Sequence, residues 1–445
     1  MSDTPHQTIT ETVKAIAGGI LTARQWTEHC LERIEAGSAT EAWSFVDSER
    51  ALKRADEMDH LRNDGSAFGA LHGCPVGVKD IIEVKDMPHG CGSSLMGELS
   101  NSNAALVDAL ESAGAVILGK THTAEFANLH PAPTKNPRSQ EHSPGGSSAG
   151  SAASVAAGEV PIAIGSQTNG SVIRPASFCG VYAMKPSAGI IPRVGTFEQS
   201  PTLDQMGVFA TSLSDIALTV DALSVHDNRD AHSIAAPRPA CLAGYLSDAP
   251  VEPNFAIMTL PYRDRQSRAC TEGFRELADA LGKQVEILEA PSVFNQLIDA
   301  QQVIHLKEAA TIFSTMGFMG HDQLSDTLKA VLNRGHSFSD EQYQEALLIK
   351  SSLDEFFKSF FEDFDAILSP SAAGEAPLIA EGHTGDPIFC SIWTLAGLPT
   401  LNLPVLQGEN NLPIGVQMIG RAKDDARLLR TARWFMSNLF DEGEI

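Results

Sequence analysis

The sequence predicts an α/β fold in which helices cover both faces of a layered sheet. Three observations carry that prediction. From Gly73 onward, short apolar runs alternate with helical patterns. The 445 residues are 43% hydrophobic and 20% charged, an ordinary globular balance. Two Gly/Ser clusters are joined by an apolar, Ala-rich connector, Ala152–Ile164, that reads as a buried helix followed by a strand.

Taken in order, residues 7–64 read as helices. Thr22 and Gln25 form a capping-box pattern, after which Trp26, Cys30, Leu31 and Ile34 share one helical face. A second helix is expected from Asp47 to Leu61, stopped before Asn63-Asp64-Gly65. Val76–Val78 and Val116–Leu118 read as buried strands, with Ala104–Ala113 as the helix before the second. Val160–Ile164 and Val181–Met184 continue the strand series, and helical patterns follow around 294–318 and 340–361. Strand-and-turn patterns return at Phe364–Pro370 and Leu412–Gly420, and a last helix is expected from Asp424 to Leu439. At this length the expected division is an N-terminal helical segment, 1–65, packed on a core of 66–445. Within that core, 225–350 is richer in charge and poorer in Gly motifs, and reads as a cap or insertion.

Composition excludes several function classes. A formal net charge of −24 repels a polyanion, so nucleic acid is not an expected partner. No apolar run approaches the roughly 18 residues a membrane helix needs. Met1–Pro5 has no basic segment followed by an apolar one, so a secretory leader is not expected. The seven cysteines are scattered with no Cys-x-x-Cys, and the histidines do not cluster with them at ligand spacing. Free thiols in a reducing cytoplasm and no metal or other cofactor are expected. The oligomeric state stays open, a homodimer included.

The chemistry concentrates in Gly145-Gly146-Ser147-Ser148-Ala149-Gly150-Ser151 and in Gly165-Ser166-Gln167-Thr168-Asn169-Gly170-Ser171-Val172-Ile173-Arg174-Pro175. Gly frees the backbone to turn its N–H groups toward a ligand, and Ser supplies a hydroxyl that can carry a proton or attack a carbonyl. Residues 146–150 match G-x-S-x-G, but that elbow needs a strand before the Ser, and residues 135–144 are polar and broken by proline. The cluster also lacks the Gly-Lys-Ser/Thr ending of a phosphate loop. Lys79 ends an apolar strand, where burial lowers a lysine from about 10.4 toward the range of a general base.

Together these segments resemble the amidase signature family of serine hydrolases. The resemblance rests on Leu71–Asp80, Ser143–Ala153 and Gly165–Pro175, with Cys179-Gly180, Lys185-Pro186, Leu203-Asp204, Gly397-Leu398-Pro399 and Pro413–Gln417 in the family's order. It implies an α/β/α sandwich around a large mixed sheet, and a small-molecule amide as substrate. It also implies Lys79 as the base, Ser147 as the serine the family holds after a cis peptide bond, and Ser171 as the nucleophile. The backbone N–H groups of Thr168, Asn169, Gly170 and Ser171 would form the oxyanion hole. Within the family the motifs are most similar to malonamidase, especially at Gln167-Thr168, Ser171–Pro175, Gly385-Asp386-Pro387 and Trp393-Thr394-Leu395. There the residue matching Arg174 holds the substrate carboxylate; the alternative for Arg174 is a brace for the nucleophile loop. Related carbamate, aryl-amide or carboxybiuret hydrolysis, or an amidotransferase A subunit, are the other readings. Asn169 departs from the family's usual Gly; Asn tolerates left-handed backbone angles, or its side chain can hydrogen-bond the pocket.

Overall fold

The computed structural model describes residues 7–66 and 68–440. Met1–Pro5, on which the expectation of no secretory leader rests, lie outside the described residues. In chain order the first half contains α1 (Ile9–Ala17), α2 (Ala23–Ala36), β1 (Trp43–Val46), α3 (Ser48–Asn63), β2 (Pro75–Lys79), α4 (Ala105–Ser112), β3 (Val116–Thr121), α5 (Ala149–Ala156), β4 (Ile162–Gln167), α6 (Ile173–Cys179), β5 (Tyr182–Lys185), β6 (Gln205–Ala210) and α7 (Leu213–Leu223). The second half contains α8 (Cys241–Leu246), β7 (Phe255–Thr259), α9 (Arg268–Leu281), β8 (Val285–Glu289), α10 (Phe294–Thr315), α11 (Asp326–Ser337), α12 (Asp340–Asp363), β9 (Ala366–Pro370), α13 (Ile388–Leu395), β10 (Thr400–Gln407), β11 (Pro413–Ile419) and α14 (Asp425–Leu439).

Among the described residues the strands form one 11-stranded sheet, ordered β1-β3-β2-β4-β6-β5-β10-β11-β9-β7-β8. It is mixed: β2 runs parallel to β3 and β4, and β7 to β8 and β9, while the remaining neighbours are antiparallel. Side chains alternate between its faces with the two-residue period of a strand. Val116 and Leu118 join Met58, Ala152 and Ile173 on one face, while Ile117 joins Leu106, Leu110, Ile216 and Leu428 on the other. Helices α3, α5 and α6 therefore cover one face, and α4, α7 and α14 the other. Burial on both sides explains why β2, β3 and β4 read as unbroken apolar runs. No helix among the described residues is long and apolar enough to cross a membrane.

The structure differs from the sequence reading in two places. Trp43–Val46, inside the segment read as helical, is β1, an edge strand antiparallel to β3. Four residues flanked by strong helix patterns leave too short an alternation to register. Residues 225–350 are not set apart from the core, because they supply β7 and β8 to the same sheet. Their helix α10 packs against α12 and α13 around Phe294, Leu297, Ile304, Phe357 and Trp393, and against α11 where Ala309 and Phe313 share a cluster with Leu328 and Leu332. The capping box at Thr22 and Gln25 is present.

In sheet order β2 lies between β3 and β4, so the chain crosses over β2 to reach β4. Ligands of open α/β sheets bind at the carboxyl ends of strands around such a crossing. Lys79 ends β2, and the second Gly/Ser cluster begins in β4.

Candidate active site

Lys79 is fully buried at the end of β2, and its Nζ lies 2.8 Å from Ser147 Oγ and 2.9 Å from Ser166 Oγ. The adjacent carboxylate does not reach it. Asp80 Oδ1 instead pairs with Lys120 Nζ at 3.0 Å and accepts from Gly90 N–H, while its other oxygen accepts from Ser44 Oγ. Burial pushes Lys79 down to about 7, opposed by the charge of Asp204 and, less, by Cys91. Its two hydroxyl partners can donate as well as accept, so a neutral amine is satisfied here. Lys185, also buried, makes the contrast. Burial lowers it to about 7 as well, but its Nζ faces three oxygens that only accept, of Gln205, Leu398 and Pro186, so its partners and not its pKa set it apart from Lys79.

Ser147 owes its position to the turn before α5. Gly145 takes φ +83°, where a Cβ would also strike Pro175, and the Gly146–Ser147 peptide is cis. Ser147 C=O accepts from Ala124 N–H at 3.0 Å. The neighbouring serines have other work: Ser148 Oγ and Ser151 Oγ donate to the carbonyls of Ser166 and Ile164, fixing α5 to β4.

The loop from β4 to α6 is held mainly by its carbonyls. Gln301 Nε2 donates to Thr168 C=O at 3.4 Å, Thr394 Oγ1 to Asn169 C=O at 2.6 Å, and Arg174 N–H to Gly170 C=O at 3.0 Å. In a planar trans peptide the next N–H points opposite to the carbonyl. The N–H groups of Asn169, Gly170 and Ser171 are thereby turned away from these anchors, and among the described residues they donate to no protein acceptor. Gln167 Oε1 accepts the following two N–H groups, of Val172 and Ile173, and so closes the start of α6. Thr168 Oγ1 donates to Asp204 Oδ1 at 2.6 Å; burial raises that carboxyl to about 6 although Gln199 and Ser200 N–H groups also donate to it. Asn169 does not adopt a positive φ. Its side chain is what matters, accepting from Ser391 Oγ at 2.6 Å and donating to Gln301 Oε1 at 3.3 Å.

Arg174 is 2% exposed in the first turn of α6. Its Nη2 donates to Gly146 C=O at 2.6 Å and to Thr384 Oγ1 at 3.2 Å, which ties the two Gly/Ser clusters together. Its Nε and Nη1 are buried with no partner among the described residues. Burial lowers it to about 10, so it remains a cation at neutral pH. The seven cysteines are all buried and free, and Cys179, the last residue of α6, is packed in the core.

A family model described as Amidase matches residues 25–429. The chain belongs to the amidase family. This amidase is 32% identical over 469 residues to the A subunit of glutamyl-tRNA(Gln) amidotransferase from Synechococcus sp., covering 96% of each chain. It superposes with a TM-score of 0.91 at 27% identity on a solved chain described by the words "an unexpected vestigial protein complex reveals the evolutionary origins of an s-triazine catabolic enzyme", covering 97% of this chain and 98% of that one. Against native peptide amidase from Stenotrophomonas maltophilia the TM-score is 0.83 at 25% identity, covering 98% and 97%. The protein is an amide-cleaving enzyme of the amidase signature type.

Several residues that touch these side chains carry little or no signal in the sequence. Ser166 stands inside the second Gly/Ser cluster, and its hydroxyl near the end of the strand beside Lys79 is the available signal. Asp204 and Thr394 also lay within matched motifs without a role. Gln301 and Thr384 carried no signal, because one sits in a helix and the other in a loop, both remote in sequence from the clusters they touch.

Proposed function

We propose that this amidase hydrolyses a small linear amide through an acyl-enzyme on Ser171, with Lys79 as base and Ser147 as proton relay. The observation that carries the reading is Lys79, buried without a carboxylate partner and 2.8 Å from the hydroxyl of Ser147. Neutral Lys79 accepts a proton from Ser147 as Ser147 takes one from Ser171, and Ser171 Oγ attacks the amide carbonyl. The unengaged N–H groups of Asn169, Gly170 and Ser171 suit the developing oxyanion. The relay then returns the proton to the departing nitrogen, since an amide anion is a poor leaving group. Ammonia or an amine leaves, and water releases the acid by the reverse path.

The substrate in this reading carries a carboxylate beyond the scissile amide, as malonamate does. Buried Arg174, with two donor nitrogens lacking partners, supports it, because an uncompensated buried cation is costly. The same side chain braces Gly146 through Nη2, which leaves Nε and Nη1 for the carboxylate in this reading. Substituting Arg174 by Met removes both, and comparing two substrates separates them. The ratio of kcat/KM for malonamate to that for uncharged propionamide should fall by about 10²-fold, the loss of a buried charge-assisted pair. An unchanged ratio, with equal losses on both, would restrict Arg174 to bracing.

The second reading is an amidotransferase component that works with a partner, favoured by the names of relatives about 32% identical across 96% of the chain. Ammonia release from malonamate by the chain purified alone supports hydrolysis. Activity that appears only when a partner chain is added supports the second reading.

A further inference from the structure

The anchors of the nucleophile loop come from unequal sources. Arg174 N–H belongs to the helix that follows the loop and would be present in any chain that starts a helix there. Thr394 stands on α13. Gln301 arrives from α10, 133 residues from Thr168 in the chain, and its donor reaches the first carbonyl of the loop. Gln301 is 1% exposed on a helix face that also carries His305 and Glu308. That face is polar yet buried, with His305 hydrogen-bonded to Gln199 and Glu308 accepting from Ser200, Thr202 and Tyr343. A buried polar stripe costs free energy unless each group is partnered, and here the partners lie in 199–202, in Tyr343 of α12 and in the loop itself.

We infer that Gln301 and Asn169 are positioning residues for the oxyanion-stabilising amides, so that α10 is part of the catalytic assembly. The inference rests on the assignment of Ser171 as nucleophile made above. Gln301 Nε2 fixes the Thr168 carbonyl, which sets the direction of the Asn169 N–H through the planar peptide. The Asn169 side chain then clasps Gln301 Oε1, and Ser391 Oγ holds the other end of that carboxamide. One side-chain amide thus locks the group that orients its own backbone. A glycine at 169 would lack this clasp, and Gln301 would hold the loop only through the Thr168 carbonyl.

The test needs no natural substrate. An alkyl fluorophosphonate reacts when a Ser171 Oγ–P bond forms and the P–F bond breaks; fluoride leaves and the serine proton passes to the Ser147–Lys79 relay. That reaction draws on the same amides. Gln301→Met keeps the length of the side chain and its packing but removes both polar ends. Its kinact should fall by about 10-fold, with KI within about twofold of wild type and the thermal midpoint little changed. Asn169→Ala should behave alike, and Gln301→Met/Asn169→Ala should be no slower than the slower single variant, because both break one linkage. If Gln301→Met does not fold, Asn169→Ala, which leaves α10 intact, carries the test alone. A kinact within twofold of wild type in the folded variants, or losses that multiply in the double variant, would overturn the inference. Ser171→Ala is the control: labelling that persists there removes the nucleophile assignment itself, whereas labelling that depends on Ser171 but ignores Gln301 and Asn169 removes only this inference.

Discussion

Ser171→Ala is expected to lower kcat/KM on every amide substrate by on the order of 10⁴-fold or more, with little change in thermal midpoint. The side chain sits in the turn at the head of α6, whose anchors are the carbonyls of Thr168, Asn169 and Gly170 and the side chain of Gln167. None of those bonds uses the Ser171 hydroxyl, so the fold and the direction of the loop amides survive its removal. Residual turnover from substrate binding and oxyanion stabilisation alone would remain. Steady-state kinetics on the purified variant check this. Retention of more than about a few per cent of wild-type activity would move the nucleophile to another residue.

Removing the proposed base should be nearly as severe. Lys79→Met keeps the volume of the stem at the end of β2 and is expected to slow turnover by about 10²–10⁴-fold. The wild-type rate should rise with pH, because the neutral amine accepts the first proton and the charged form cannot. Burial holds Lys79 at about 7, so the rate should fall about tenfold per pH unit below that value and level off above it. Stability should carry the same signature. Between about pH 7 and 10.4 the unfolded chain holds this proton and the folded chain does not, so this group makes stability rise with pH across that window. Lys79→Met should abolish that part of the slope, which denaturant titrations at two pH values would measure. A rate independent of pH between 6 and 9, with a mild Lys79→Met phenotype, would reassign the base.

Local chemistry was legible in the sequence, and long-range satisfaction of polar groups was not. Lys79 stood out because a cation at the end of an apolar strand conflicts with its surroundings, and the structure leaves it without a carboxylate because Lys120 takes Asp80. Ser147 and Ser171 stood out because Gly and Ser were massed around buried elements. The β2, β3 and β4 strands were found because both faces are covered, which makes them uniformly apolar. In contrast, β1 pairs along a sheet edge and shows only a four-residue alternation between two helices. Gln301 looked like any polar residue on a helix, and only the fold brings it to Thr168. Asn169 was marked as a departure, but whether its backbone or its side chain mattered depended on Ser391 and Gln301, both far along the chain. The division at 225–350 followed composition, whereas β7 joins β9 in the sheet by main-chain hydrogen bonds that composition does not reveal.

The most direct test of the central claim is to map the site of fluorophosphonate labelling by mass spectrometry across a pH series. The account predicts a single adduct on Ser171, formed at a rate that climbs with pH and levels off above a midpoint near 7, the value to which burial brings Lys79. An adduct on Ser147 or on any other residue, or a Ser171 adduct whose rate does not vary with pH, would contradict it.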